Sequence, residues 1–102
     1  MAVTSAVAAL WLQKTGCPIC EGYGLSETSP SASCNPTTIT QFTGNIGVPL
    51  PSTFMKLLDD EGHEVIELAQ AGEIAIQGPQ VMAGYWHRPD ETARSMTSDG
   101  YF

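Results

Sequence analysis

Proline and glycine interrupt this chain so often after residue 16 that only short regular elements fit between them. The 102 residues include 7 prolines and 10 glycines, and most of the prolines fall between residues 18 and 51. Proline lacks a backbone N–H and fixes φ, whereas glycine accepts positive φ, so both residues commonly end helices and strands. Most of the chain is therefore predicted to form short strands and turns around one modest core.

The stretch ahead of the first proline differs, because residues 2–15 have the periodicity of a helix. Apolar side chains and the Lys14 stem recur at the i, i+4, i+7 and i+8 spacing of one amphipathic face. Gly16 followed by Pro18 is a typical helix end. A helix that opens with no preceding turn indicates a segment cut from a longer protein, so we expect residues 1–16 to be the edge helix of a preceding subdomain. The face consists of Val3, Val7, Leu10, Trp11 and Lys14.

Two later segments alternate between two faces in the way of half-buried strands. Residues 53–59 form the first, and residues 72–77 form the second, with Ile74 and Ile76 on the side expected to face the core. Residues 60–66 are predicted to turn tightly at their glycine and to return as the partner strand of the first segment, in a hairpin.

The remaining segments predict loops and short elements. Residues 26–43 are rich in Ser, Thr, Pro and Asn and indicate a long surface loop with room for one short strand. Residues 89–96 predict a short helix that starts near its proline, and a turn at Asp99 precedes a strand that begins at Tyr101. We expect a mainly β (α+β) fold, with a small distorted β-barrel or sandwich over residues 17–102 and one N-terminal helix.

The charge balance and the apolar pattern exclude several classes of partner. The net charge is −7, from 4 basic and 11 acidic residues, and an acidic chain repels phosphate backbones, so we expect no nucleic-acid partner. No apolar run approaches the ~20 residues of a transmembrane segment, and no signal peptide is visible, so a cytoplasmic location is expected. The acidic residues between 59 and 73 are interpreted as a solvated face, with a docking face for a basic partner as the alternative.

The three cysteines are too few for a complete disulfide framework. Cys17 and Cys20 have the CxxC spacing of a redox or metal knuckle, but they follow a helical segment, and there is no second CxxC. Residues three apart in an extended segment point to opposite faces, and His63 and His87 lack ligand spacing. We interpret the two thiols, together with Cys34, as free, with a metal or redox site as the alternative.

Residues 21–27, EGYGLSE, carry the most chemistry. Two glycines allow the backbone to approach a flat ligand, Tyr23 offers a ring for stacking, Ser26 a hydroxyl, and Glu27 an oxygen ligand for a hard cation such as Mg²⁺. These groups lie within five residues of one another and are a plausible set for binding a nucleotide with its metal. The same residues also fit a glycine-rich turn with a packed tyrosine, and by themselves they leave both interpretations open.

Residues 22–27 resemble the aromatic-Gly-x-Thr/Ser-Glu signature of the adenylate-forming superfamily. That superfamily includes acyl-CoA synthetases, coumarate–CoA ligases, luciferases and peptide-synthetase adenylation domains. Residues 72–86 look like its Gly-Glu-Leu-x-Val-x-Gly and Gly-Tyr segment, residues 87–92 like its x-x-Pro-Glu/Asp-x-Thr run, and residues 99–102 like its Asp-Gly-Trp-Phe. The ordered segments cover essentially the whole chain, which resembles part of the large N-terminal domain of such an enzyme.

Within that superfamily the chain looks like a bacterial long-chain fatty-acid–CoA ligase. Glu21 ahead of Gly-Tyr-Gly, the Asn35-Pro36 pair, residues 44–51 and residues 78–82 carry this resemblance. Peptide-synthetase domains typically have Asn-x-Tyr-Gly-Pro-Thr-Glu at the first motif, and acetate-type synthetases have a Trp-rich version, and neither fits. Aryl-CoA ligases and luciferases share Gly-Tyr-Gly-x-Thr-Glu and remain the main alternatives.

The resemblance implies roles for five residues. Gly22, Tyr23 and Gly24 would line the adenine and acyl pocket, with the tyrosine against the adenine. Ser26, where many members have Thr, would hydrogen-bond the α-phosphate, and Glu27 would hold Mg²⁺. These last two residues would be catalytic when a fatty carboxylate attacks the α-phosphate of ATP, before coenzyme A displaces AMP.

Three parts of the family's machinery are not found in these 102 residues. They are the Gly/Ser/Thr-rich phosphate loop with its Lys, the Thr-Gly-Asp that binds ribose, and the lid domain with its catalytic Lys. We therefore expect an internal fragment, truncated at its C-terminal end, that is inactive alone, binds none of ATP, Mg²⁺ or coenzyme A tightly, and self-associates through its helix face.

The location, an alternative function and three further residues complete the predictions. The resemblance leaves open a peripheral position at the inner membrane, and a stand-alone β-barrel binding or interaction module is the alternative from another functional class. Tyr85 and Trp86 are interpreted as packing aromatics, with a position bordering the ligand site as the alternative, and His87 as a surface loop residue and not a general base.

Overall fold

The computed structural model describes residues 2–102, in which short strands follow an N-terminal helix. In chain order the elements are α1 (Ser5–Thr15), β1 (Gly22–Gly24), a 3₁₀ turn (Ser26–Thr28), β2 (Ser31–Cys34), β3 (Val48–Pro49), β4 (Phe54–Leu58), β5 (Glu73–Gln77) and α2 (Pro89–Ser95). The predicted helices and both alternating strands are confirmed, with boundaries moved by one to three residues.

Helix α1 begins and ends where its capping residues place it. The Thr4 side chain accepts a hydrogen bond from the Val7 N–H at 3.4 Å, and Gly16, with φ of 72°, donates its N–H to the Leu12 carbonyl. The buried residue of the helix is Ala8, whereas Val7, Leu10 and Trp11 of the predicted apolar face are more than half exposed and Val3 is half-buried. The periodicity therefore identified the helix, but about half of the surface of its large apolar side chains stays exposed.

The first sheet is antiparallel, with strand order β1-β2-β3. Gly22 pairs with Cys34, and a bulge falls between Tyr23 and Gly24 before the chain turns back. A Cβ atom on Gly24 would lie 1.7 Å from the Pro30 carbonyl oxygen, so the two backbones can meet here because the residue is glycine. The glycines of the first motif therefore serve close packing of the chain against itself.

A buried asparagine anchors the loop that follows β2. Asn35 donates from its Nδ2 to the backbone oxygen of Asn45 at 3.1 Å, and its Oδ1 accepts from the Glu21 N–H at 2.8 Å. The loop returns to β3 through Gly47, whose φ is +81° and whose Cβ position would lie 2.1 Å from the Cys34 backbone. This network fixes the start of β1, the strand that leads to the predicted site.

The second sheet consists of β4 and β5, paired antiparallel from Phe54↔Gln77 to Leu58↔Glu73. The predicted hairpin is present in a shortened form, because residues 63–65 return beside the end of β4 through one bridge, Leu58↔Glu64, and two backbone hydrogen bonds without forming a full strand. The Asp59 carboxylate accepts the N–H groups of Glu61 and His63 at 2.9 and 2.8 Å and so closes the turn of this short hairpin. The long-range partner, β5, also pairs with β4, along its whole length.

Strand β5 carries the most deeply packed side chains of the second sheet. Ala75 and Ile76 are buried, and Ile74 is half-buried. Phe102 exchanges two backbone hydrogen bonds with Ile76, at 2.8 and 2.9 Å, so the predicted strand start near Tyr101 is present as a short pairing on the far edge of β5.

The α+β class with antiparallel sheets is confirmed, and within that class the two sheets stay open rather than closing into a barrel. The described chain has four buried apolar residues, three of which are alanines, and they lie on three separate elements. They are Ala8, Ala32, Ala75 and Ile76. None of the helices in residues 2–102 has the length and apolar character needed to cross a bilayer.

Candidate functional site

The predicted site residues lie on β1 and on the 3₁₀ turn that follows it. Tyr23 on β1 and Glu27 on the turn are half-buried, whereas Ser26 is exposed. A single tight turn thus presents a hydroxyl and a carboxylate side by side at the end of a strand. The glycine-containing strand β1 thus leads directly into the turn that carries both groups.

Thr28, which the sequence analysis missed, holds that turn in shape. Its fully buried Oγ1 accepts the Leu25 N–H at 2.9 Å and lies 2.7 Å from the Pro30 carbonyl, to which it can donate. The Thr28 N–H in turn donates to the Leu25 carbonyl at 3.0 Å. The signal available in the sequence was the spacing of Thr28, which lies three residues after Leu25, the residue that caps the turn. Its hydroxyl accepts the N–H of the capping residue, as the side chain at this position does in a capping box.

The second motif meets the first at Glu27. The Tyr85 hydroxyl donates to Glu27 Oε1 at 2.9 Å across 58 residues of sequence, and the Met82 N–H donates to the Glu27 carbonyl at 2.8 Å. The interpretation of Tyr85 as a packing aromatic is therefore incomplete, because its hydroxyl has a charged partner in the predicted site. The order of the two motifs along the chain was visible in the sequence, but their contact was not.

Helix α2 supports the backbone of Tyr85. The Tyr85 N–H donates to Thr92 Oγ1 at 2.9 Å, and Thr92 Oγ1 donates to the Arg88 carbonyl at 2.9 Å. Gly84 lies so close that a Cβ atom there would be 2.7 Å from Thr92 Cγ2. The adjacent Trp86 is 86% exposed, so it does not pack as predicted, and His87 is exposed as predicted.

Comparison with known proteins identifies the family. The AMP-binding enzyme family matches residues 1–86 of the 102. This chain belongs to the AMP-binding enzyme family.

Several relatives in the family are similar over most of this chain. The long-chain-fatty-acid–CoA ligase of Yersinia pestis is 50% identical over 92 residues, which are 90% of this chain and 16% of that protein. The enzyme of the same name from Haemophilus influenzae is 42% identical over 101 residues, covering 99% of this chain and 18% of its own length. A 3-hydroxybenzoate–CoA ligase from Aromatoleum is 38% identical over 90% of this chain and 17% of its own. The chain thus spans about a sixth of the curated relatives it matches.

Solved structures agree with the sequence relatives. Apo MatB from Rhodopseudomonas palustris superimposes with a TM-score of 0.91 at 30% identity, over 100% of this chain and 20% of MatB. The ATP-bound form of the same protein gives a TM-score of 0.89 at 30% identity, over 99% of this chain and 20% of that one. The fold of this AMP-binding family member is therefore that of a segment within larger adenylate-forming enzymes.

In this family member, the Glu27 carboxylate shifts the pKa of the Tyr85 hydroxyl. Its hydrogen bond raises the pKa of Tyr85 above the ordinary value, and partial burial and the Glu27 charge act in the same direction. Tyr85 is therefore a protonated donor at neutral pH. Tyr85 also lines an open cleft of about 300 Å³ together with Arg88, Glu91 and Ser95.

Glu27 fits a metal ion shared with nucleotide phosphates better than it fits an all-protein metal site. Residues 2–102 contain no group of three or more His, Cys, Asp or Glu residues that could hold a metal. Within the same residues Glu27 has no basic partner, and its described donor binds one carboxylate oxygen. A single carboxylate with an oxygen to spare matches Mg²⁺, which is commonly held by one or two carboxylates together with substrate phosphates.

The cysteines lie apart from these contacts. Cys17 and Cys20 are exposed, Cys34 is half-buried, and all three are free thiols. The apolar concavity over β4 and β5, lined by Met55, Ile74 and others, contains none of the predicted site residues. The candidate site is therefore the Ser26–Thr28 turn with Tyr85.

Proposed function

We propose that this chain works as part of an ATP-dependent long-chain fatty-acid–CoA ligase, in which it supplies residues to the adenylation half of the reaction. The observation that carries this proposal is the meeting of two motifs, 58 residues apart, at the Glu27 carboxylate. A tyrosine and a backbone N–H hold that residue, as a preorganised site requires. Similarity to ligases of this name over 90% of the chain supports the same assignment.

The proposed roles follow from the turn and its neighbours. Tyr23, flanked by Gly22 and Gly24, stacks on the adenine and borders the acyl pocket, and the exposed Ser26 hydroxyl donates to the α-phosphate. Glu27 contributes a carboxylate oxygen to the Mg²⁺ that accompanies ATP. Bound there, this ion would offset phosphate charge.

The proposed reaction has two half-reactions. A fatty carboxylate oxygen attacks the α-phosphorus of ATP and pyrophosphate leaves, giving an acyl-adenylate. The sulfur of coenzyme A, having lost its proton, then attacks the acyl carbonyl and AMP leaves. The residues of this chain act mainly in the first step, where Ser26 and Glu27 face the charge that develops on the phosphates.

A fatty acid is proposed over an aromatic acid because the identity to the Yersinia pestis enzyme, 50%, exceeds the 38% to the 3-hydroxybenzoate–CoA ligase. The same proposal treats residues 1–16 as an edge helix of a preceding subdomain and residues 17–102 as part of the AMP-binding domain. It also includes a cytoplasmic location, with peripheral association at the inner membrane.

The proposal is tested in an exchange ligase, in which this chain replaces the matching 101 residues of the Haemophilus influenzae enzyme. We expect the exchange ligase to convert palmitate, ATP and coenzyme A to palmitoyl-CoA, and to prefer palmitate to 3-hydroxybenzoate. A folded exchange ligase with no turnover above a protein-free blank would contradict the proposal, and a preference for 3-hydroxybenzoate would favour the aryl alternative.

A Glu27→Gln substitution in the exchange ligase tests the site. The change is nearly isosteric but removes the charge that would hold the metal, so adenylation should fall by at least ~10²-fold, about 2.7 kcal/mol of transition-state stabilisation. Thioester formation from preformed acyl-adenylate should fall much less, because no pyrophosphate leaves in that step. Both rates are measured at saturating Mg²⁺, and an equal loss in the two half-reactions would make Glu27 a structural residue.

A further inference from the structure

The described structure holds Glu27 at one carboxylate oxygen and leaves the other without a protein donor. Tyr85 donates to Oε1 at 2.9 Å, and no donor from residues 2–102 contacts Oε2. The Glu27 main chain is held by the same segment, since the Met82 N–H donates to its carbonyl at 2.8 Å. The side chain is thus fixed at its base and at one tip, which leaves a single oxygen to meet a ligand.

Tyr85 can act as a fixed point because its own position is set by α2. Its N–H donates to Thr92 Oγ1, and that hydroxyl donates to the Arg88 carbonyl at the start of the helix, both at 2.9 Å. The absence of a side chain at Gly84 allows this contact, as a Cβ atom would lie 2.7 Å from the threonine methyl. The position of the phenol therefore depends on a helix and not on the Glu27 turn itself.

We propose that Tyr85 is a positioning residue for Glu27. The Tyr85 hydroxyl holds Glu27 Oε1, so that Glu27 Oε2 is free to bind the Mg²⁺ shared with ATP. This inference rests on the proposed function, since it extends the metal role of Glu27. A glutamate side chain has several rotatable bonds, and ordering it during ligand binding costs affinity. A hydrogen bond from a residue that contacts the carboxylate but not the metal removes part of that cost before the ligand binds. The same bond fixes the direction of the carboxylate oxygen that binds the metal.

A purely structural role for the same hydrogen bond would have a different signature. Tyr85 is 37% exposed, and a hydrogen bond between such groups adds little to folding stability because water replaces it in the unfolded state. A structural bond would lower activity equally at all Mg²⁺ concentrations. A positioning bond would weaken the metal and leave the turnover at saturating metal largely intact.

The test uses Tyr85→Phe in the exchange ligase, with Tyr101→Phe as the matched control. Both variants remove one phenol hydroxyl, but the Tyr101 ring lies under the Lys56 ammonium at 4.1 Å, whereas the phenol that donates to Glu27 is that of Tyr85. The probe is Mn²⁺ with a non-hydrolysable ATP analogue, and its dissociation constant is measured by electron paramagnetic resonance. Outer-shell partners typically change metal affinity by 10–100-fold, and we expect about tenfold weaker binding for Tyr85→Phe and no change for the control.

Kinetics supply a second readout. The KM for Mg²⁺ in adenylation should rise about tenfold in Tyr85→Phe, while kcat at saturating Mg²⁺ should fall less than about threefold. In a Glu27→Gln background the same substitution should have no further effect on Mn²⁺ affinity, because the tyrosine acts through the carboxylate.

The outcomes separate this inference from the proposed function. An exchange ligase that is folded but inactive would overturn both. An active exchange ligase whose Tyr85→Phe variant binds Mn²⁺ as well as the parent, or loses kcat with an unchanged KM for Mg²⁺, would overturn the positioning role alone. A persistent effect of Tyr85→Phe in the Glu27→Gln background would also overturn it.

Discussion

At the scale of single residues, the shape of the site depends on two contacts that the first motif does not contain. Glu27 is fixed from outside by Tyr85, and its turn is fixed from inside by the buried hydroxyl of Thr28. Because Thr28 satisfies the Leu25 N–H away from water, losing that hydroxyl should cost more than losing an exposed one. The neighbouring Ser26 is exposed and forms no hydrogen bond through its side chain within the described residues.

Thr28→Val should loosen the turn, whereas Thr28→Ser should preserve it. Valine is similar in size but leaves the Leu25 N–H and the Pro30 carbonyl unpaired, a cost of about 1–3 kcal/mol for a buried group. In the exchange ligase, amide hydrogen exchange over residues 22–30 should therefore become about tenfold faster or more in the valine variant. Exchange that is unchanged in Thr28→Val, or equally fast in Thr28→Ser, would show that the hydroxyl does not stabilise the turn.

The site residues named from the sequence lie together because they are neighbours in one short segment. Tyr23, Ser26 and Glu27 needed no tertiary information to be grouped. Tyr85 could be grouped with them only from the tertiary structure, since its hydroxyl donates to Glu27 across 58 residues of sequence. Thr28 was missed for the opposite reason, since its partners are so local that nothing in the hydrophobic pattern marks them.

At the scale of elements, periodicity was informative where an element is long enough to have a period. α1, β4 and β5 carry 11, 5 and 5 residues and were predicted from spacing alone. β3 has two residues, Val48–Pro49, and exists because β2 pairs with it, so no local signal could reveal it. The turn after β4 and the short return of the chain beside it were predicted from local residues, whereas the pairing of β4 with β5 had no local signal.

The pairing of residues 99–102 with β5 should depend on pH. Lys56 on β4 donates to Asp99 at 2.6 Å, and this bond lowers the pKa of Asp99 from its ordinary 3.8 and raises the pKa of Lys56 from 10.5. The lowered carboxyl pKa makes the stabilisation present above about pH 4, and it is lost as pH falls through the folded-state value. The raised ammonium pKa makes it present below pH 10.5, and it is lost as pH rises further.

This pH dependence can be followed through the Tyr101 ring, which lies under the Lys56 ammonium at 4.1 Å. The ring-proton chemical shifts should keep their folded values from neutral pH down to about 4 and then move toward random-coil values. Asp99→Asn should show moved shifts already at neutral pH, whereas Asp60→Asn, on the exposed turn, should behave as the parent. An acid transition that survives in Asp99→Asn would assign it to another carboxylate.

At the scale of the whole molecule, the chain carries more surface than a monomer of its mass. Its accessible area is 7445 Å², whereas a folded 10.9 kDa monomer is expected to have about 5,600 Å². The radius of gyration is 16.1 Å, compared with about 13 Å for a compact domain of this length. The two sheets each pair internally, but neither forms a layer packed face to face on the other, so much apolar surface faces solvent.

The apolar face of α1 should therefore make the isolated 102-residue chain self-associate. Val7, Leu10 and Trp11 are each more than half exposed on one helix, and contiguous apolar patches of several hundred Å² tend to find partners. In sedimentation velocity or light scattering, the average mass should exceed 10.9 kDa and rise with concentration. Leu10→Glu should lower that mass toward the monomer by placing a charge in the contact, whereas Leu68→Glu, which alters a 96% exposed residue outside the helix, should not. A monomeric profile over a wide concentration range, or equal effects of the two substitutions, would show that the α1 face is not the contact.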